Sequence, residues 1–241
     1  MDRALYAAAT GMAAQQLNLD VIADNLANAD VTGFKSSVAT FAELAVPGEA
    51  GLGTAALGEH LVFTQGRLSK AGGAFDIAID GPGFFALADA RGGRAYTRAG
   101  EFSRSADGTL RNAQGYRLLG VRVPAAAVSV SVSQDGTLSM VTTQGRSEIG
   151  RIALAEFPAA EHLRSLGGTI FEATHASGPA RFVHAGGEGP KVRFGMLEEA
   201  NVSIVEAMMS MLAAQRAYEA DAKGVQAADE MLRIANNLER S

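Results

Sequence analysis

An α+β protein is what this sequence predicts, with a helix at each end pairing as a coiled-coil-like domain and an all-β domain inserted between them. Three observations carry that reading. Large apolar residues recur every seven positions near the N-terminus, at Leu5, Met12, Leu19 and Leu26. They recur again near the C-terminus, at Ile204, Met211, Tyr218, Val225 and Leu232. Between the two stripes the period changes from seven to two, and glycine-punctuated turns appear.

Residues 1–35 form the first element. Ala8, Gln15, Ile22 and Ala29 make a second row three positions after the first, so the stripe is a narrow a/d seam diluted with small and amide side chains. Asp2 suits an N-cap, Asn28 a left-handed C-terminal cap, and Gly33 a turn that needs positive φ. Residues 36–60, including "AVPGEAGLGTAALGEH", lack periodicity and predict an irregular or extended connector.

Residues 61–198 read as the all-β domain. "FDIAIDGPGFFALAD", "GYRLLGVRV" and "VSVSVSQDGTLSMV" alternate and are rich in β-branched side chains. The tetrapeptide Asp-Gly-Thr-Leu occurs twice, at Asp107–Leu110 and Asp135–Leu138, each time between strand-like runs, which is a hairpin signal. A short helix is expected near "AEFPAAEHLRSLGG". Residues 199–241 return to helix, opened by Ser203 and Glu206 at capping-box spacing. Ala207, Ala214, Ala228 and Ala235 form its second row, interrupted by Asp221.

Composition narrows the function classes. The chain has 241 residues, 47% of them hydrophobic, a net charge of −5 and no cysteine. Disulfides, thiolate metal sites and cysteine nucleophiles are therefore excluded, and without a basic stripe no nucleic-acid partner is expected. No apolar run approaches the ~18 residues of a membrane span, so no membrane insertion is expected. "MDRALYAAATGMAAQQ" lacks the basic and apolar blocks of a cleaved signal.

Catalytic patterns are missing. His60, His162, His175 and His184 are scattered, and neither a phosphate-binding loop nor a nucleophile elbow is present. Asp76 and Asp80 share a strand face, a spacing open to paired carboxylates but more in keeping with a solvated face. No enzyme, metal or cofactor is expected. A helix pair so diluted with alanine has little apolar surface to bury by itself, which points outward to neighbouring subunits.

The motifs also carry a resemblance. "DVIADNLANADVTGFK", with its Asn-Leu-Ala-Asn core followed by Thr-Gly-Phe, resembles the rod signature of bacterial flagellar axial proteins. "DIAIDGPGFFAL", "YTRAGEFSRSADGTLRNAQGYRLLG" and "GMLEEANVSIVEAMMSMLAAQRAYEADAKGVQAADEML" are similar to the later segments of the same rod/hook family, in the same order, over nearly the whole chain. The resemblance implies a structural subunit of the basal-body rod, in the periplasm, exported unfolded by the flagellar type III apparatus without a cleaved signal. Its partners would be other rod proteins and copies of itself. "MDRALY" and the short stretch from Phe41 to Gly73 are similar to the proximal rod member, the distal member carrying a longer stretch there. A secreted β-domain adhesin oligomerised by its helices is the alternative from another class.

Assembly residues follow. Leu5, Met12, Leu19, Ile22 and Leu26 would supply one side of the seam, and Ile204, Met208, Met211, Tyr218, Val225 and Leu232 the other, with Gln215 as a polar register element. Asn25 and Asn28 would give the seam directional hydrogen bonds, Gly33 would turn the chain out of the helical layer, and Phe34 would anchor the exit against a neighbour or its own connector. On this reading Gly33→Val blocks assembly and leaves the β domain folded.

Overall fold

The computed structural model describes residues 2–44, 53–125, 127, 129–142, 145–187 and 189–238, with the side chains at 2–4, 232 and 235–238 outside the description. Two compact units emerge: Met1–Ala27 with Ser37–His60 and Val202–Ser241, and Asn28–Ser36 with Leu61–Asn201.

The first unit is helical. Helix α1 spans Asp2–Ala27 and helix α2 spans Ile204–Leu238, and the two pack along each other. Ser203 Oγ accepts the Glu206 amide at 3.4 Å, and its carbonyl accepts the Ala207 amide at 2.8 Å, so Ser203 is the N-cap expected for α2. Residues expected to be an irregular or extended connector include two strands, Ser37–Glu43 and Thr54–Leu61, that pair with each other; 45–52 lie outside the described residues. Thr10 Oγ1 accepts the Thr54 amide at 3.2 Å and ties the pair to α1.

The second unit is all-β, built around a twelve-stranded sheet whose reported pairings are antiparallel. Its central strand, Phe84–Ala88, pairs with Arg94–Thr97 on one edge and with Arg117–Arg122 and Leu154–Glu156 on the other. Side chains alternate across a strand, so Phe85 and Leu87 enter one cluster with Leu110, Leu118, Leu138 and Ile152, while Phe84 and Ala86 enter another with Tyr96 and Phe171. Both faces are covered, which is why "FFALA" is apolar throughout rather than alternating.

The repeated Asp-Gly-Thr-Leu segments form matching turns. Gly108 and Gly136 have φ of 81° and 76°. Asp107 Oδ1 accepts the Thr109 amide and hydroxyl at 3.0 and 2.7 Å; Asp135 accepts the Thr137 amide and hydroxyl at 3.2 and 2.9 Å. These bonds hold both carboxyls below their ordinary range. In each case the returning strand donates back to the turn glycine, Val123 N to Gly108 O at 2.7 Å and Ile152 N to Gly136 O at 2.9 Å. The short helix expected after residue 155 is one 3-10 turn, Ala160–His162.

Candidate assembly elements

On helix α2 the most buried side chains are small. On α2, Ala214 and Ala228 are buried, Ala207, Met211, Asp221 and Val225 are half-buried, and all six belong to the two heptad rows. On α1, Ala14, Val21 and Ile22 are buried, and Leu5, Met12, Leu19 and Leu26 half-buried. Ile204, Met208 and Tyr218 do not join this seam: they are 42%, 51% and 38% exposed, as are Val205, Met209 and Leu212 at 67%, 66% and 56%. Gln215 is exposed and makes no hydrogen bond with a described residue. On α2 burial is deepest on the alanine row. The Leu232 side chain and the proposed Asp2 cap lie outside the described residues.

The segment after α1 departs from expectation in an instructive way. Asn25 reaches back rather than across the seam: its Nδ2 donates to Ser37 O at 2.7 Å and its Oδ1 accepts Ser37 N at 2.9 Å. Asn201 does the equivalent for the neighbouring residue, accepting Ser36 N at 2.7 Å and donating to Val62 O at 2.7 Å and Thr64 Oγ1 at 2.9 Å. Asn28 is not left-handed, because no described non-glycine residue has positive φ; its carbonyl accepts the Val31 amide at 3.0 Å.

Gly33 is at φ 69°, as the turn demanded, but it belongs to the β unit. A Cβ there would stand 2.3 Å from Ala99 N and 2.5 Å from Ala99 Cα. Substitution would therefore strike the β unit itself, contrary to the expectation for Gly33→Val. Phe34 is 7% exposed and is packed within the chain.

Immediately after it lies a charge cluster that sequence reasoning missed. Lys35 Nζ is 2.6 Å from Glu198 Oε1, and neither side chain has any exposed surface. Lys35 also donates to Thr64 O at 2.7 Å, and Gly66 N donates to the same Glu198 oxygen at 3.0 Å. Arg98 Nε stands 3.2 Å from Glu198 Oε2, close enough to pair but without hydrogen-bond alignment. The Glu198 carbonyl accepts Gly33 N at 2.7 Å, so the acidic residue holds the loop by side chain and backbone alike. Burial pulls the Lys35 ammonium below its ordinary range, against the opposing pull of Glu198, and does the same to the Arg98 guanidinium. No spacing in the sequence links residues 163 positions apart; Lys35 and Glu198 look like surface charges until they are folded.

The carboxylates weighed for chemistry have structural partners. Asp76 accepts Gly73 N at 2.7 Å, and Asp80 accepts Arg193 Nε and an Arg193 terminal nitrogen at 3.0 and 2.7 Å. Among the described residues no cluster of three or more His, Cys, Asp or Glu could hold a metal ion.

Comparison with known sequences follows the same division. Residues 5–35 match the family profile described as flagella basal body rod protein, 78–140 the flagellar hook protein FlgE/F/G D1 domain, and 194–238 the flagellar basal body rod FlgEFG protein C-terminal. The chain is 36% identical to the flagellar basal-body rod protein FlgG of Borreliella burgdorferi, with 100% of each chain covered. It is 35% identical to FlgG of Agrobacterium fabrum, covering 97% and 98%, and 32% identical to the rod protein FlgF of Caulobacter vibrioides, covering 98% and 97%. The chain belongs to the flagellar basal-body rod protein family. The Asn25 clamp, Gly33, Phe34 and Lys35 all come from the segment matching the rod-protein profile, while Glu198 and the apolar face of α2 come from the C-terminal one.

Proposed function

We propose that the chain is a structural subunit of the flagellar basal-body rod, that it assembles with copies of itself and other rod proteins through its terminal helices, and that it occupies the proximal rod. One observation carries the assembly mode. Helix α2 spends its small-residue row on α1 and leaves Ile204, Val205, Met208, Met209 and Leu212 exposed within its first nine residues. Exposed apolar side chains in a contiguous stretch mark a protein contact.

One feature supports the proximal position: the stretch from Phe41 to Gly73 is short. The proposal includes export in an unfolded state through the flagellar type III apparatus. No described helix is long and apolar enough to cross a membrane.

Quantitative mass spectrometry of purified basal bodies tests the reading. A few copies per basal body beside the other rod proteins is the expected result. A count several-fold higher would replace the proximal position by the distal one. Absence from basal bodies, with the chain in culture fluid, would replace the rod subunit by a secreted binding module.

A further inference from the structure

One carboxylate sits where a helical seam calls for an apolar side chain. Asp221 interrupts the alanine row of α2, is half-buried, and opens on a cavity of about 570 Å³ lined also by Gly11, Gln15, Asn18, Phe41 and Glu43. Helix α1 makes room for it: a Cβ on Gly11 would stand 2.9 Å from Asp221 Oδ2. Asp221 has no hydrogen-bond or ion-pair partner among the described residues. In the same cavity Gln15 Oε1 is shut off from solvent and accepts no hydrogen bond from a described residue. The cavity therefore offers two carboxylates, Asp221 and Glu43, and among the described residues no cation lines it. Its complement is a cation with several donors.

Such a cation is present on the other side of α2. Arg216 and Lys223 are exposed and make no ion pair with any described residue, whereas Arg233 pairs with Asp229 and Glu230. At roughly 100° of helix rotation per residue, Arg216 lies about 140° and Lys223 about 160° around from Asp221. Neither can reach the cavity of its own chain. We propose that Arg216 of a second copy enters the cavity, its guanidinium gripping the Asp221 carboxylate with two N–H groups. Arginine fits better than lysine because its planar fork binds a carboxylate with two parallel bonds and still has donors to spare. Donor and receptor lie on different faces of one helix, so the contact is head-to-tail and propagates instead of closing as a pair.

The inference rests on the rod-subunit reading, and the test separates the two. Full-length variants are expressed in cells lacking the native copy, and motility and copies per basal body are measured together with the wild type. Asp221→Arg and Arg216→Glu should each lower copies per basal body by about tenfold or more, as loss of a partly buried charge pair does. The double variant should restore them, which also shows that Asp221→Arg still folds. Lys223→Glu should assemble normally. Single reversals at wild-type copy number, or a double variant that restores nothing, would refute the contact while leaving the rod reading intact. Rescue of Asp221→Arg by Lys223→Glu rather than Arg216→Glu would overturn the choice of arginine. Wild-type chain missing from basal bodies would remove the rod reading on which the contact depends.

Discussion

Replacing Glu198 by glutamine tests whether the buried charges hold the segment after α1 in place. The change keeps shape and removes one negative charge from a site where Lys35 is 0% and Arg98 4% exposed. Two buried cations then face a neutral amide. The bonds from Lys35 to Thr64 O and from Arg98 to Gly81 O at 3.0 Å survive, but neither carbonyl supplies a countercharge. Breaking a buried pair by removing one partner costs about 3–5 kcal/mol, a large share of the ~5–15 kcal/mol that keeps a domain folded. With a urea slope of about 2 kcal/mol/M, the unfolding midpoint should fall by about 1.5–2.5 M.

The double variant Lys35→Met/Glu198→Gln discriminates. It removes the lysine charge along with its partner, so its cost should be clearly less than the sum of the two single changes, by roughly 1–3 kcal/mol of coupling. Equilibrium urea unfolding of the full-length chain, followed by tyrosine fluorescence and circular dichroism, measures all four corners of the cycle. A Glu198→Gln loss under about 1 kcal/mol, or additivity across the cycle, would refute the argument that these charges act as one buried unit.

Four further outcomes are expected. Asn25→Leu leaves the amide and carbonyl of Ser37, a residue 8% exposed, without their partner; a loss of about 1–3 kcal/mol per group and faster hydrogen exchange at the Ser37 amide should follow. Gly33→Ala, forced to φ 69° against the Ala99 backbone, should destabilise the β unit by more than about 1 kcal/mol in the same urea assay. Asp107 is held ionised in the fold, first by the Thr109 hydroxyl, so the unfolded chain takes up its proton at higher pH. Stability should therefore drop as pH falls below the ordinary aspartate value of 3.8, and Asp107→Asn should flatten that acid limb when urea midpoints are compared between pH 5 and 3. Met208→Asp, at a side chain 51% exposed, should leave the unfolding midpoint unchanged yet abolish motility, whereas half-buried Met211→Asp should lower both.

Periodicity made most of this architecture legible. Seven-residue spacing gave both helices. What it could not give was which row carries the weight. Rows of leucine or methionine and of alanine are equally periodic, and on α2 the structure buries Ala214 and Ala228 most deeply. Asp-Gly pairs fixed the two hairpin turns because positive φ at Gly108 and Gly136 is a local demand. Positive φ at Gly33 was legible for the same reason. Its closeness to Ala99 was not, since that contact joins residues far apart in sequence. Lys35 and Glu198 were invisible for the same reason, and a lysine read alone is an exposed residue.

The two units differ in how completely they cover their large apolar side chains, and that difference bears on how a rod subunit works. Within the β unit the central strand is buried on both faces, and Lys35 and Glu198 find each other in full burial. Among its described residues no large apolar side chain is more than half exposed. In the helical unit, by contrast, Val205, Met209 and Leu212 remain more than half exposed, and Asp221 lacks a partner among the described residues. A helix pair whose own contact is an alanine row gains little from folding alone, because helices of this kind draw most of their stability from packing an apolar face. The unspent apolar and polar groups are then the free energy available for joining neighbours. Strengthening the intramolecular seam, by enlarging Ala214 for instance, would compete with assembly rather than aid it.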